Sequence, residues 1–172
     1  MTTVAETRPE TKKTSRAART AARRLALQLI YSFEVNRFQD GCTLVPEDDR
    51  NAVPSDSLGF ADQLFAGFIK ERVAIDAQLD KRLENWSLSR LAVIDRALLR
   101  LGAYELLYCP ETPPKVAINE CIELAKEFGT EAKTARLVNG VLDKIAREHR
   151  ADETSKKDAV VKETTETTAK ED

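Results

Sequence analysis

The segment LAVIDRALLRLGAYELLY, residues 91–108, carries the clearest structural signal in the sequence. Its apolar residues recur three or four positions apart, which places them on one face of an α-helix. They are Leu91, Ile94, Leu98, Leu101 and Tyr104. No proline occurs between residues 55 and 109, and an interior proline costs a helix about 3 kcal/mol. The segment therefore predicts an amphipathic helix over about 88–108 that packs one face against a core.

The same periodicity continues on both sides of this segment. Further helices are predicted over about 15–37, 56–73, 75–84, 115–128 and 131–149. The proline-bearing stretches 39–55 and 109–114 are predicted to be loops. No segment shows the alternation of apolar and polar residues that is typical of a strand, so the predicted fold class is all-α.

Proline and glycine positions refine this prediction. Pro114 is predicted in the first turn of its helix and Gly129 at the end of that helix. Gly67, Gly102 and Gly140 lie inside helical patterns, where glycine costs roughly 1 kcal/mol relative to alanine. We expect close approach of a neighbouring helix to compensate at these three positions.

The composition is that of a single globular domain. The 172 residues include 27 Lys and Arg, 29 Asp and Glu and one His, and 42% of them are hydrophobic. The longest uncharged run, Leu25–Phe33, has nine residues, whereas a membrane span needs about 20. No apolar stretch typical of a secretory signal follows Met1. The three cysteines are widely spaced and fit neither a disulfide framework nor a zinc site, so a cytoplasmic location is expected.

The net charge of −2 hides a strong asymmetry. Residues 1–24 contain seven basic and two acidic residues, whereas residues 25–150 contain 16 basic and 20 acidic ones. Residues 151–172 consist largely of Thr, Glu, Lys and Asp, with almost nothing to bury. We therefore predict a disordered basic arm over 1–14, a helical domain over 15–150 and a disordered tail over 151–172. A basic arm on an acidic body favours a polyanionic partner for the arm.

Four arginines of the first predicted helix are expected to face solvent, because a helical wheel places them opposite the apolar stripe. They are Arg16, Arg19, Arg23 and Arg24, and Tyr31 lies on the same side. This arrangement suits phosphate contacts beside an aromatic platform. An ordinary solvated face and a mitochondrial transit peptide are the alternatives, and two nearby glutamates argue against the transit peptide.

The sequence contains few candidates for catalytic residues. Glu120, Glu123 and Glu127 share a helix face opposite the apolar stripe, which favours a solvated surface over acid–base chemistry. Cys109 has no His or base motif nearby, so a structural thiol is favoured over a nucleophile. His149 is expected to be exposed and without a role. The sequence contains no nucleotide-binding, zinc or redox motif, so we predict no catalytic residue, no metal site and no cofactor.

Asp95 borders the buried stripe of the helix over 88–108. Its neighbours Arg96 and Arg100 do not face it on a helix. A carboxylate in that position is available to a partner, and a solvated charge is the alternative.

Four segments together resemble the NusB family of transcription antitermination factors. They are RRLALQLIYSFEVN (23–36), LAVIDRALLRLGAYELLY (91–108), VAINECIELAKEFGTE (116–131) and ARLVNGVLDKIARE (135–148). The resemblance implies two small helical bundles packed at a steep angle, here about 15–85 and 86–150. It also implies binding of single-stranded boxA-type RNA in nascent ribosomal RNA transcripts, together with NusE, the ribosomal small-subunit protein. The assembly would act indirectly on the RNA polymerase elongation complex, so that the polymerase reads through terminators.

The resemblance also implies residue roles. RNA contacts are expected from Arg16, Arg19, Arg23, Arg24, Lys133, Arg136 and Leu137, and NusE contacts from Tyr31 and Asp95. The stretch AKTARLVNG (132–140) is one residue longer than the family pattern, and Leu137 stands where phenylalanine is usual. Four phosphate contacts on a single strand would give a log–log salt slope near −3, at about −0.7 for each contact.

Two other interpretations remain. One is a protein-interaction module or homodimer without intrinsic RNA specificity. The other is part of an enzyme, because a similar helical domain precedes a cytosine methyltransferase domain in a family that modifies ribosomal RNA. The absence of a nucleotide-binding motif and of a catalytic Cys motif argues against the enzyme.

Overall fold

Helices account for nearly all of the regular structure in the computed structural model, which describes residues 15–36, 45–84 and 86–151. Six α-helices and one 3₁₀ turn lie within these ranges, and no strand does. They are α1 (Arg16–Val35), α2 (Glu47–Asn51), α3 (Ser55–Asp80), the 3₁₀ turn Leu88–Arg90, α4 (Val93–Tyr108), α5 (Pro114–Phe128) and α6 (Thr134–His149). The predicted all-α class is confirmed, whereas the arm over 1–14 and the tail beyond Ala151 lie outside the described residues.

The largest departure from the predicted helices is α3. The two helices expected over 56–73 and 75–84 form one helix, Ser55–Asp80. Its buried residues follow a continuous helical spacing through the expected break: Ala61, Leu64, Phe68, Ile75 and Leu79. No glycine or proline interrupts residues 68–80, so nothing in the sequence ends the helix there.

Two other boundaries differ from those predicted. Part of the predicted loop over 39–55 forms α2, whose first turn holds three acidic residues that favour the positive end of a helix dipole. The helix predicted from residue 88 begins with the 3₁₀ turn, and the backbone is then extended at Leu91 and Ala92 before α4 starts. Pro114 lies in the first turn of α5, as predicted. Gly129 ends α5 with φ of −61°, so a close contact explains the glycine: an added Cβ would lie 2.4 Å from the Ala125 carbonyl oxygen.

The core brings two sets of helices together. Helices α1 and α3 pack on each other, α4, α5 and α6 pack as a second set, and α4 also contacts both α1 and α3. The main buried cluster draws on all five helices, with Ile30, Phe33, Phe68, Leu98, Leu101, Cys121, Leu124, Val138 and Leu142 among its members. Fully burying one large apolar side chain contributes about 1.5–3 kcal/mol. The proposed bundles over 15–85 and 86–150 stay a prediction, since α4 joins both sets.

Two of the three helical glycines lie where another helix comes close. A Cβ on Gly67 would lie 1.8 Å from the Tyr104 hydroxyl oxygen, and one on Gly102 would lie 2.4 Å from a Leu142 methyl carbon. Gly140 has open space at the corresponding position, so the prediction of close packing is wrong there. Among the described residues, no helix is long and apolar enough to cross a membrane.

Candidate nucleic-acid interface

The four arginines of α1 do not share one environment. Arg23 is 2% exposed, although a solvent-facing position was predicted for it. Its Nε donates to Glu105 Oε2 at 2.9 Å and its Nη2 to Glu105 Oε1 at 2.5 Å, and Glu105 is itself fully buried. Burial alone would lower the pKa of Arg23, but the hydrogen bonds and charges of Glu105 and Glu120 outweigh it and raise that pKa. The predicted exposure of Arg23 is therefore wrong.

Glu120 is a second buried carboxylate beside α1. It was expected on a solvated face, but its side chain is only 6% exposed. It accepts hydrogen bonds from Thr20 Oγ1 at 2.6 Å and from Arg16 Nε at 3.4 Å, and Arg23 Nη1 lies 3.8 Å away. The acidic side chains of α4 and α5 thus widen the buried face of α1 beyond its apolar stripe. Glu123 and Glu127 are exposed, as predicted.

Arg16 and Arg19 remain at the surface beside a cleft of about 510 Å³, which we call the arginine cleft. Its lining includes Arg16, Arg19, Glu111, Thr112, Asn119 and Glu120, with Arg23 as part of its wall. The Arg16 side chain is 87% exposed despite its contact with Glu120. The Arg19 guanidinium carbon lies 4.6 Å from the centroid of the Phe60 ring, which orients the side chain without neutralising it. Both arginines can therefore reach an anion.

Arg24 is half exposed and already has an anionic neighbour. Its guanidinium donates two hydrogen bonds to Glu127, one from Nη2 to Oε2 at 2.7 Å and a second from Nη1 to Oε1. The hydrogen bond from Arg24 lowers the pKa of Glu127. The same guanidinium lies 5.2 Å from the centroid of the Phe128 ring. An exposed pair of this kind contributes about 0–1 kcal/mol, so Arg24 can exchange Glu127 for a phosphate at low cost.

Tyr31 is 41% exposed and borders an apolar groove of about 520 Å³, which we call the tyrosine groove. The predicted position of Tyr31 away from the core is confirmed. The groove is lined by Leu27, Gln28, Tyr31, Ser32, Val35, Val45, Pro46, Ile94 and Phe128. Phe128 connects it to Arg24 on one side. An exposed aromatic ring above an apolar groove is typical of a protein-docking surface.

Asp95 is buried, so neither the available nor the solvated position considered for it is correct. Its oxygens accept hydrogen bonds from the Thr130 backbone N–H at 3.2 Å, from Thr130 Oγ1 at 2.6 Å and from Thr134 Oγ1 at 3.4 Å. Thr130 belongs to the connection between α5 and α6 and Thr134 is the first residue of α6, so both donors lie where the chain passes the start of α4. Asp95 therefore holds that connection in place.

Lys133, Arg136 and Leu137 meet the start of α4 at a third site, a cleft of about 400 Å³ that we call the tryptophan cleft. Its lining includes Trp86, Arg90, Leu91, Asp95, Thr130, Glu131, Lys133, Arg136 and Leu137. Lys133 Nζ lies 2.8 Å from Glu131 Oε2 in an exposed pair, and Arg136 is exposed. The helical pattern did not assign a role to Trp86 or Arg90. The available signal was the single tryptophan of the chain, placed in a short connection four residues before an arginine.

The three surfaces are connected through neighbouring residues. Arg24 links the arginine side of α1 to Phe128 in the tyrosine groove. Ile94 lines that groove and the next residue, Asp95, lines the tryptophan cleft. Cationic side chains therefore lie on both sides of the apolar tyrosine groove, at the arginine cleft and at the tryptophan cleft.

Of the three cysteines, the structure describes Cys109 and Cys121, and neither offers a nucleophile. Cys109 and Cys121 are both buried and unpaired. Burial raises the pKa of Cys109 to about 12 and also raises the pKa of Cys121 well above its usual range. Cys109 is therefore a structural thiol, as favoured from the sequence. His149 is exposed, as expected.

Comparison with known proteins places these features in a family. The model of the NusB family matches residues 20–147. The transcription antitermination protein NusB of Desulfitobacterium hafniense (strain DSM 10664 / DCB-2) is 41% identical over 130 residues, which cover 74% of this chain and 87% of that protein. NusB of Geotalea uraniireducens (strain Rf4) is 41% identical over 139 residues, covering 76% of this chain and 94% of that protein.

Solved structures agree. NusB from T. maritima superposes with a TM-score of 0.68 and 35% identity, covering 76% of this chain and 92% of that one. A chain from the crystal structure of the antitermination factors NusB and NusE in complex with double-stranded RNA superposes with a TM-score of 0.63 and 25% identity. That match covers 78% of this chain and 99% of that one. The chain described here therefore belongs to the NusB family.

Proposed function

We propose that this protein is an RNA-binding transcription antitermination factor. It binds boxA-type single-stranded RNA of nascent ribosomal RNA transcripts together with NusE, and it acts through them on the RNA polymerase elongation complex, so that the polymerase reads through terminators. Family membership supports this function, because the matched relatives are named as antitermination proteins and one matched structure contains NusB, NusE and double-stranded RNA. It acts as a binding protein rather than an enzyme, in the cytoplasm where the transcript is made.

The observation that carries the proposal is the placement of exposed or half-buried cations at two clefts of a chain with a net negative charge. Arg16 and Arg19 stand at the arginine cleft, and Lys133 and Arg136 stand at the tryptophan cleft. Clustered cations on a body of net charge −2 attract a polyanion locally rather than globally. Phosphate contacts of this kind set the register of an RNA strand without reading its sequence.

Each predicted RNA residue has its own part in this function. Arg16, Arg19, Lys133 and Arg136 bind phosphates, and Arg24 joins them by leaving Glu127. Leu137 is half-buried, packs against the core and forms an apolar part of the wall of the tryptophan cleft. Arg23 is a positioning residue, because its buried contacts with Glu105 hold the start of α1 against α4.

The tyrosine groove is the docking surface for NusE. Tyr31 supplies an exposed aromatic contact, and Phe128 and Ile94 supply apolar area. Asp95 supports this interface indirectly through Thr130, because its own oxygens are buried and occupied. Sequence readout then comes from the combined surface of the two proteins, since single-stranded bases offer their edges and faces to both.

The test is fluorescence anisotropy of a labelled boxA-type RNA, titrated with the protein in the presence and absence of NusE. Arms with a scrambled strand and with a duplex of the same sequence separate base readout and strand form from simple charge attraction. We expect tighter binding with NusE, and we expect Tyr31→Ala to remove that gain while leaving the weaker binding without NusE unchanged. Equal affinity for all RNAs with no effect of NusE would contradict the proposal.

The apolar character of the tyrosine groove also supports a second candidate, a homodimer through the same surface. Sedimentation at several protein concentrations tests it. In that case the mass rises with concentration and NusE returns the protein to a single copy per complex. A mass that stays monomeric at high concentration would exclude this candidate.

A further inference from the structure

We propose that Trp86 is a stacking platform for one unpaired nucleobase of the bound RNA, held in the tryptophan cleft with its flanking phosphates on Lys133 and Arg136. This inference rests on the proposed RNA-binding function and adds a base-contacting residue to it. It assigns a role to a side chain that neither the helical pattern nor the core explains.

The Trp86 ring is exposed in the cleft and is not packed in the core. Tryptophan is a costly side chain to leave in water, yet Trp86 is 54% exposed and lines the cleft rather than the core. Among the residues that the structure describes, no aromatic ring stacks on it and no cation lies over its face. Its π-face is therefore available to a planar ligand.

The Trp86 ring has cationic side chains around it. Arg90, Lys133 and Arg136 line the same cleft, and the two carboxylates present are already engaged. Glu131 pairs with Lys133, and Asp95 accepts hydrogen bonds from Thr130 and Thr134. The Lys133–Glu131 pair is exposed on both sides, so exchanging Glu131 for a phosphate costs little.

An exposed aromatic ring and several cations occur together in the tryptophan cleft. Single-stranded nucleic acids are bound by cations that follow the backbone and by aromatic side chains on which successive bases stack. The tryptophan cleft offers both within one cavity of about 400 Å³. A purely apolar protein segment would leave the three cations unused, and a duplex would keep its bases paired and stacked. Charge complementarity therefore favours a single RNA strand as the occupant.

The chain provides its own probe, because Trp86 is its only tryptophan. Intrinsic tryptophan fluorescence thus reports on this cleft alone. The experiment titrates the full chain with a labelled single-stranded boxA-type RNA and follows label anisotropy and Trp86 emission in the same samples. Stacking quenches the indole, so we expect the emission to fall in parallel with binding, and the equivalent RNA duplex to cause no such loss.

Three variants locate the effect. Trp86→Leu keeps apolar volume but removes the π-face, and we expect its affinity for the single strand to fall roughly 5-fold to 150-fold, the range of base–aromatic stacking. Trp86→Phe should recover most of the loss. Tyr108→Leu is the matched control, because Tyr108 is an exposed aromatic residue at the opposite end of α4, about 20 Å away along the helix. We expect Tyr108→Leu to bind RNA like the natural chain.

Strands with one abasic position each complete the test. In the natural chain, one such position should lower affinity as much as Trp86→Leu does, and in Trp86→Leu that position should no longer matter. RNA binding without a change in Trp86 emission, and with unchanged affinity in Trp86→Leu, would overturn this inference and leave the proposed function intact. Emission that responds to NusE but not to RNA would also overturn it. No RNA binding by the natural chain would overturn both.

Discussion

Arg16 and Arg23 show how much a residue's role depends on partners outside its own helix. Both are arginines of α1 and lie close together on a helical wheel, yet Arg16 is almost fully exposed and Arg23 is buried. The difference is made by Glu105, which is 82 positions away in the chain. A wheel contains no information on neighbouring helices, so the sequence could predict a cationic helix face but not which of its arginines is structural.

Replacing Arg23 with alanine is expected to destabilise the protein by about 3–5 kcal/mol, because it leaves the Glu105 carboxylate buried without a counter-charge. Arg16→Ala is the matched control and should change the free energy of unfolding by less than about 0.5 kcal/mol. Urea unfolding followed by circular dichroism measures both. The double variant Arg23→Met with Glu105→Met should recover much of the loss, since buried ion pairs can often be replaced by apolar residues. Equal stability of Arg23→Ala and Arg16→Ala would refute the structural role of Arg23.

We expect removal of the Asp95 carboxylate to lower the stability of the protein. Asp95→Ala leaves the donors of Thr130 and Thr134 without their acceptor, which is expected to cost about 1–3 kcal/mol. Asp95→Asn keeps one acceptor oxygen and should cost less. Hydrogen exchange at the Thr130 amide tests the local effect, because its protection should fall in Asp95→Ala. If Asp95→Ala keeps both the stability and the protection of that amide, the carboxylate does not hold the connection.

The burial of Cys109 is expected to make the free energy of unfolding depend on pH. Since the pKa of Cys109 is raised to about 12, its folded thiol keeps a proton that an unfolded thiol loses near pH 8.5. The contribution of this group to stability is therefore complete below about pH 8.5 and decreases as the pH rises toward 12. Iodoacetamide at pH 8 should modify Cys109 and Cys121 only in denaturant, as measured by peptide mass mapping. Rapid modification of either thiol in the folded protein would show that it is accessible.

At the scale of the elements, helix boundaries are predicted best where proline or glycine positions agree with the apolar periodicity. Helix α5 begins at Pro114 and ends before Gly129, close to the predicted 115–128. Two helices were predicted where α3 is continuous, although Phe68 and Ile75 lie about two helical turns apart and on the same buried face. The 3₁₀ turn before α4 and the short α2 carry too few residues for a periodic signal.

The helical glycines provide a paired prediction in α3. Gly67→Ala places a methyl carbon within the Tyr104 ring, so the two helices must separate, and we expect a loss of at least about 1–3 kcal/mol from overpacking. Gly59→Ala has open space in the same helix and should stabilise the protein by about 0.5–1 kcal/mol through higher helix propensity. Thermal unfolding of the two variants is the measurement. A shift of the melting temperature in the same direction for both would contradict the packing of α3 on α4.

At the scale of the whole molecule, the candidate interface is assembled from distant parts of the chain. Arg16 meets Glu120 across 104 positions, and the tryptophan cleft joins the start of α4 to the start of α6. The resemblance to the NusB family identified Tyr31, Lys133 and Arg136 as candidates, which the structure places at exposed clefts. It could not predict that Arg23 and Asp95 are buried, because their environment depends on how the helices pack in this chain.

We propose that the exposed Arg16 and the half-buried Arg19 bind RNA phosphates, while the buried Arg23 holds α1 in position. The most direct test is the salt dependence of RNA affinity for the natural chain and for Arg16→Ala with Arg19→Ala, with a labelled single-stranded RNA and anisotropy as the readout. At about 0.7 per contact, removing two phosphate contacts should make the log–log slope shallower by about 1.4 while the fold and stability stay unchanged. An unchanged slope in the double variant would show that these arginines do not contact the RNA, and it would contradict the proposed role of Arg16 and Arg19.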